Sequence, residues 1–191
     1  MKHIYLIRHG LPDFPNGKRM CIGTTNIPMG EAGLAQAEKM AANLPPVSAV
    51  FSSPLIRAVQ TAQAIGLPVT ILDGLRELSF GEWDGLTFEQ IRQQYPQLYA
   101  ARASDLTLPL PGAEDRALGL ARFQCAVEEA ILQSSGDIAI VAHGGIIAQF
   151  LQHIGGSWYK PGYAEIVPVC YENGSFRTCS SDSILIRAFS G

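Results

Sequence analysis

Basic residues are scarce in this chain: 14 Lys and Arg stand against 17 Asp and Glu, a formal charge of −3 at pH 7, and no basic tract exists to neutralise a run of phosphates. General nucleic-acid binding is excluded on that ground, and any anion site has to be local. Cysteine is sparse as well. Cys21, Cys125, Cys170 and Cys179 form no CxxC pair, so neither a zinc ribbon nor a disulfide framework is indicated, and all four are expected as reduced thiols. No apolar run approaches the roughly 18 residues of a membrane span, and the first residues enter a strand pattern directly, which points to a cytoplasmic protein. Repeats, low-complexity segments and linkers are missing too, so residues 1–191 are expected to form a single domain. At 47% hydrophobic and 16% charged residues, that domain can bury a core without help from metal or disulfides.

What is present is a regular alternation. Residues 3–7, 49–52, 69–72 and 138–142 are short, apolar and rich in β-branched side chains, the pattern of buried strands. Between them, residues 30–44 carry Leu34, Ala37 and Met40-Ala41 on a mostly apolar stripe that Pro45 and Pro46 terminate. A second helix follows Ser53-Pro54, with Leu55, Ala58, Val59 and Ala62 on one face. Further helices are expected at residues 87–95, about 114–133 and 145–154, edge strands at 166–170 and 184–187, and a loop at 105–112. Strands alternating with helices imply an α/β fold of three α-β-α layers around a mostly parallel sheet.

In an open parallel sheet, ligands bind outside the carboxyl ends of the strands. "LIRHG" leaves Arg8, His9 and Gly10 just past the first strand, Arg57 lies in the first turns of the helix after the second, and "VAHGG" leaves His143, Gly144 and Gly145 past the fourth. An imidazole attacks phosphorus through one ring nitrogen while a backbone carbonyl holds the other, and guanidinium groups pair with phosphoryl oxygens. Gly10 and the Gly144-Gly145 pair admit close approach of the backbone, and the amides opening the helix after His143 are expected as further anion donors. Expelling an alkoxide also needs a proton donor, a carboxyl group of raised pKa facing the phosphate. Asp73, Glu77, Glu82 and Asp84 all lie in "LDGLRELSFGEWDGLT" at this edge, and spacing does not choose among them. His9, His143 and a carboxylate also have the chemistry of metal ligands, but two guanidinium groups oppose a dication and complement a phosphate dianion, so neither metal nor cofactor is expected. His3 and His153 read as structural or surface residues, Lys18 and Arg19 as solvated loop charges, and Phe80 and Trp83 as packing.

Taken in order, "LIRHG", "SSPLIRAVQTA", "RELSFGEWDGLT" and "VAHGG" resemble the histidine phosphatase superfamily, in its phosphoglycerate mutase-like branch, over residues 2 to about 155. The resemblance implies that His9 becomes phosphohistidine, that Arg8, Arg57 and His143 hold the transferring group, and that Glu77, four residues before Gly81, is the acid and then the base. It also implies an asparagine and a backbone amide at the phosphate. Where the family usually has Glu-Thr or Glu-Ser after RHG, this chain has Leu11-Pro12-Asp13; Asn16 takes the asparagine's place if the loop is one residue longer, and Gly23 then supplies the amide, with Gly144 lining the substrate.

The expected activity is metal-independent hydrolysis of a small phosphorylated metabolite. The compact size, "FGEWDGLT" and "PLPGAED" are similar to α-ribazole phosphatase-like and broad-specificity phosphatases, so α-ribazole 5'-phosphate and sugar phosphates are the candidate substrates. Two alternatives remain open: a phosphoglycerate mutase-type transferase, for which the segment between the acid and the second histidine is short, and a non-catalytic phospholigand-binding pseudoenzyme. Neither a nucleic-acid nor a membrane partner is expected, and the chain reads as a monomer or homodimer.

Overall fold

In the computed structural model, which describes residues 1–179, the chain forms β1 (Lys2–Arg8), β2 (Ala49–Ser52), β3 (Val69–Ile71), β4 (Ile138–Ala142), β5 (Ile166–Glu172) and β6 (Ser175–Thr178). These lie in one six-stranded sheet in the order β3-β2-β4-β1-β5-β6. The first four strands run parallel, and β5 and β6 extend the β1 edge antiparallel. Six helices accompany the sheet: α1 (Glu31–Asn43), α2 (Ile56–Gln63), α3 (Phe88–Gln94), α4 (Pro96–Ser104), α5 (Arg116–Leu132) and α6 (Gly144–His153).

The period-2 rule of a strand explains the three layers. Ile4 and Leu6 of β1, with Ile138 and Ile140 of β4, pack against Phe123 and Val127 of α5 and Ile146 and Phe150 of α6. The intervening Ile7, Ala139 and Val141 face the other way, onto Met40 of α1 and Ala58 and Ala62 of α2. All five residues of β4 are buried, as a central strand covered on both faces requires. Trp83, Ile91 and Leu110 form a third, separate cluster with Tyr95, Leu98 and Tyr99, which joins α3 and α4 to the turn at residues 81–83. A capping box at Thr87 and Gln90 starts α3.

Most expected elements appear within a residue or two of their predicted ends. Leu34 is an exception: it is 43% exposed, and the buried positions of α1 are Gly33, Ala37 and Met40. The helix turns its glycine inward because a Cβ at residue 33 would lie 2.1 Å from the Leu11 carbonyl oxygen. Ser53 does not cap α2; its hydroxyl accepts only the Leu55 amide at 3.3 Å, and Leu55 is the N-cap. Helix α4 and strand β6 were not anticipated, and the expected strand at residues 184–187 lies outside the described residues.

The cysteine expectation needs correction. Cys170 and Cys179 are joined in a disulfide, with Cα atoms 5.6 Å apart, while Cys21 and Cys125 are free thiols. The unanticipated hairpin is the reason: Asn173 and Gly174 adopt φ of 51° and 79°, folding β6 back along β5 so that cysteines nine residues apart meet across the ladder. No helix of the described residues is long and apolar enough to cross a membrane.

Ile140, at 0% exposure in β4, makes its contacts on the α5/α6 face. Ile140→Ala is expected to lower the urea-measured unfolding free energy by about 2–5 kcal/mol, the usual cost of such a truncation at a packed site. A loss below about 1 kcal/mol would contradict the packing described.

Candidate active site

Register brings the two histidines together. Arg8 pairs with Ala142 across β1 and β4, so His9 and His143 leave neighbouring strand ends side by side, with ring centroids 5.1 Å apart. Strand β2 ends beside them: the Ser53 amide donates to the Val141 carbonyl, and the Ser53 hydroxyl lies 2.7 Å from His143 Nε2. The reversal of strand order at β1 and β4 makes this the crevice in which doubly wound sheets hold ligands.

His9 is 4% exposed, and its Nδ1 lies 2.8 Å from the Gly10 carbonyl. A carbonyl only accepts, so Nδ1 carries the hydrogen and Nε2 keeps its lone pair. Arg57 Nε donates to that Nε2 at 3.3 Å. Burial, then the Arg57 charge, push the His9 pKa well below its ordinary value, and His143 is shifted the same way by the same causes. Both rings are therefore neutral near pH 7.

Arg57 is fully buried, and desolvation pulls its pKa down to about 10, against the pull of Glu77 and Asp84. It remains charged at neutral pH. Its terminal nitrogens donate to the Thr25 and Gly23 carbonyls at 2.7 and 2.9 Å, so they are already engaged and only Nε addresses His9. Asp84 organises those carbonyls. Its carboxylate accepts from the amides of Gly23, Thr24, Thr25 and Phe80 and from both threonine hydroxyls. Gly23 thus differs from expectation: its amide is committed to Asp84 and its carbonyl serves Arg57.

Of the four carboxyl candidates, only Glu77 lines the cavity with His9; Asp73 pairs with Arg76 at the surface, and Glu82 accepts from the Tyr95 hydroxyl. The Glu77 carboxylate is 2.8 Å from each of the amides of Gly145 and Ile146, at the start of α6. Those amides were expected to face the phosphate; they hold Glu77 instead, where the helix N-terminus favours negative charge. Glycine is required at residue 145, because a Cβ there would approach the Glu77 oxygens to 2.9 and 3.0 Å. Behind the segment, Arg122 donates to the carbonyls of Gly74 and Arg76 at 2.7 and 3.1 Å and pairs with Glu114 at 2.8 Å.

The cavity over His9 measures about 490 Å³. Arg8, Glu77 and Gly144 line its floor, joined by Lys160 and Tyr163, which no motif had marked. The Arg8 guanidinium sits 3.8 Å from the centre of the Tyr163 ring, its Nη1 donates to the Pro161 carbonyl at 2.8 Å, and burial lowers its pKa. Arg8 Nε and His143 Nδ1 are buried without a protein partner, donor or acceptor capacity that a phosphoryl group beside them would use. Asn16 is not brought here. It lies on an exposed turn at φ 54°, and it does not line the cavity. Lys18 pairs with Glu89 at 3.6 Å, as a surface charge does, but Arg19, Phe80 and Trp83 line the cavity. No signal in the sequence marked Lys160 or Tyr163, because both come from the loop between α6 and β5, far from every motif.

A neutral imidazole with a fixed tautomer, buried guanidinium charge and one cavity carboxyl together make a site whose chemistry suits an anionic ligand. The chain belongs to the histidine phosphatase superfamily (branch 1), whose family model matches residues 4–176. It is 30% identical to an uncharacterized phosphatase PhoE of Bacillus subtilis (strain 168), covering 92% of this chain and 89% of that protein. Among solved structures, mycobacterial glucosyl-3-phosphoglycerate phosphatase in complex with VO3 superposes at a TM-score of 0.82 with 29% identity, covering 94% of this chain and 98% of that one. A putative alpha-ribazole-5'-P phosphatase of Escherichia coli shares the fold, with a TM-score of 0.73 at 24% identity over 93% of this chain and 94% of that one.

Because Asp84 fixes the loop that holds Arg57, Asp84→Asn is expected to weaken binding of inorganic phosphate about tenfold, equivalent to about 1.4 kcal/mol. Isothermal titration calorimetry measures it, with Asp73→Asn, at an exposed ion pair, expected to leave affinity unchanged. Equal affinities in the two variants would remove Asp84 from the site's support.

Proposed function

We propose that this chain is a metal-independent phosphomonoester hydrolase that works through phosphohistidine at His9. The observation that carries the reading is the state of that ring: Nδ1 is held by the Gly10 carbonyl, so Nε2 is unprotonated, and its lone pair, which accepts from Arg57 Nε at 3.3 Å, belongs to a ring that lines a cation-lined cavity. Nε2 attacks phosphorus, the ester P–O bond breaks, and the departing alkoxide takes from Glu77 a proton that the carboxylate receives as the phosphate anion binds beside it. Water then attacks the phosphohistidine, the P–N bond breaks, and the Glu77 carboxylate takes the water's proton. Inorganic phosphate leaves and Glu77 is protonated again. Arg8 and Lys160 line the cavity and offset the charge on the phosphoryl oxygens, while Arg57 and His143 act from behind the lining, the first through its Nε on His9 and the second as the ring beside it, so positioning and preorganised charge supply most of the rate. Gly144 permits the crowding, since a Cβ there would lie 2.9 Å from the Lys160 side chain and 3.0 Å from Arg8 Nε.

The relatives support the class of reaction: the two aligned over nearly their whole lengths are both named phosphatases. A small phosphorylated molecule is the partner that a cavity of this size and charge accepts.

His9→Ala is expected to abolish release of phosphate from a monoester panel together with acid-labile labelling of the protein by a radiolabelled phosphodonor. Persistence of either would refute the nucleophile assignment.

The lowered His9 pKa has a sign that can be checked. The ring stays neutral below pH 6.5, so the His9 resonances, followed by NMR, are expected to show no titration between pH 8 and about 6.5. The unfolded chain does take up a proton near pH 6.5, so the free energy of unfolding is expected to fall as pH drops below that value. A His9 titration midpoint at or above 6.5 would contradict both.

A further inference from the structure

The chemistry of the cavity wall points to a class of substrate. Above the phosphate floor, the side chains that line the cavity are predominantly carbon: Phe14, Ile22, Phe80, Trp83, Phe88 and Leu110 among them. The polar remainder is strongly one-sided. Arg19, Arg102 and Lys160 are donors, whereas Glu77 is the one acidic side chain in the lining, and it already accepts two α6 amides. Among the described residues no Ser, Thr, Asn, Gln or Asp lines this cavity, and the neutral polar groups are His9, Cys21, Tyr99, Tyr163 and the Trp83 indole, whose Nε1 is a buried donor without a partner. Burial pushes the Cys21 thiol up to about 12, so it adds no charge.

A polyhydroxylated alcohol needs neutral donors and acceptors around it, because each hydroxyl taken from water and left unpartnered loses hydrogen bonds that nothing replaces. This wall has almost no acceptors for such hydroxyls. An aromatic ring meets the opposite situation: Phe80 and Trp83 offer apolar area and ring faces, and the arginines stack as readily as they pair. The Arg102 guanidinium already lies 5.7 Å from the centre of the Trp83 ring.

We infer that the cavity selects phosphomonoesters whose alcohol is aromatic or otherwise apolar and disfavours polyhydroxylated sugar phosphates. The inference narrows the sugar-phosphate expectation of the sequence. Its turnover arm rests on the hydrolase reading above; its binding arm does not.

The test uses esters of primary alcohols, so that leaving-group chemistry does not mimic selectivity. The value of kcat/KM for 2-phenylethyl phosphate is expected to exceed those for glycerol 3-phosphate and glucose 6-phosphate by about 30-fold, the size expected from withdrawing a phenyl ring from water. In calorimetry, 2-phenylethylphosphonate is expected to bind correspondingly tighter than 2,3-dihydroxypropylphosphonate. Phe88→Asn, at a side chain already 45% exposed, is expected to reduce both preferences severalfold with an unchanged circular dichroism spectrum. Equal or reversed preferences in the wild-type protein, or preferences untouched by the Phe88 substitution, would overturn the inference. Selective phosphonate binding without turnover of any ester would sustain the inference and overturn the hydrolase reading.

Discussion

The parallel pairing of β1 with β4 is the constraint from which the site follows. Arg8 is held opposite Ala142, and the next residue on each strand is a histidine. A slip of one residue would exchange the faces of Ile4, Leu6, Ile138 and Ile140 and break both apolar layers at once. The packing that stabilises the sheet therefore also sets the spacing of the two imidazoles. Precision at the site comes from the core, with no dedicated structure needed to supply it.

The electrostatic design runs against stability in a consistent way. A fully buried guanidinium is stabilised by two loop carbonyls and a histidine nitrogen, and among the described residues no carboxylate pairs with it directly. The nearest organising carboxylate, Asp84, acts one step removed, through the loop whose carbonyls Arg57 uses. A direct ion pair would cancel that charge; carbonyl dipoles hold the cation in place while leaving most of its field available. Burial first, and that field second, keep the neighbouring rings neutral, the state that the proposed role of His9 requires.

Strands were legible wherever burial produced an apolar run, and β2 and β4 agree with expectation end to end. Strand ends and glycine turns pointed to His9, Arg57 and His143, whereas Glu77 was singled out from four carboxyl groups only by the family resemblance. Legibility failed where a residue's role depends on contacts that the local pattern does not record. Leu34 fits an apolar stripe, yet Gly33 faces inward because the Leu11 backbone passes close by. The Gly145 and Ile146 amides open a helix and suit an anion, but which anion they hold depends on where Glu77 arrives from a distant turn. Cys170 and Cys179 lack a motif spacing and meet only because a two-residue turn pairs their strands. Asn16 could be placed by analogy only, and it lies on an exposed turn outside the cavity lining.

One wall of the cavity is built on the small cluster of Trp83, Ile91 and Leu110, which shares no residue with the two layers that flank the sheet. Helix α3 starts on its capping box, and both helices are pinned locally by aromatic contacts of Trp83 with Tyr95 and Tyr99 at 6.2 Å each. The wall and the site around His9 meet at one turn, where Trp83 belongs to the wall and Asp84, the next residue, fixes the loop that holds Arg57. Helices α3 and α4 lie beyond that turn, so a lineage has more freedom to vary residues 88–110 than the turn itself, and diversification of such a scaffold is confined accordingly.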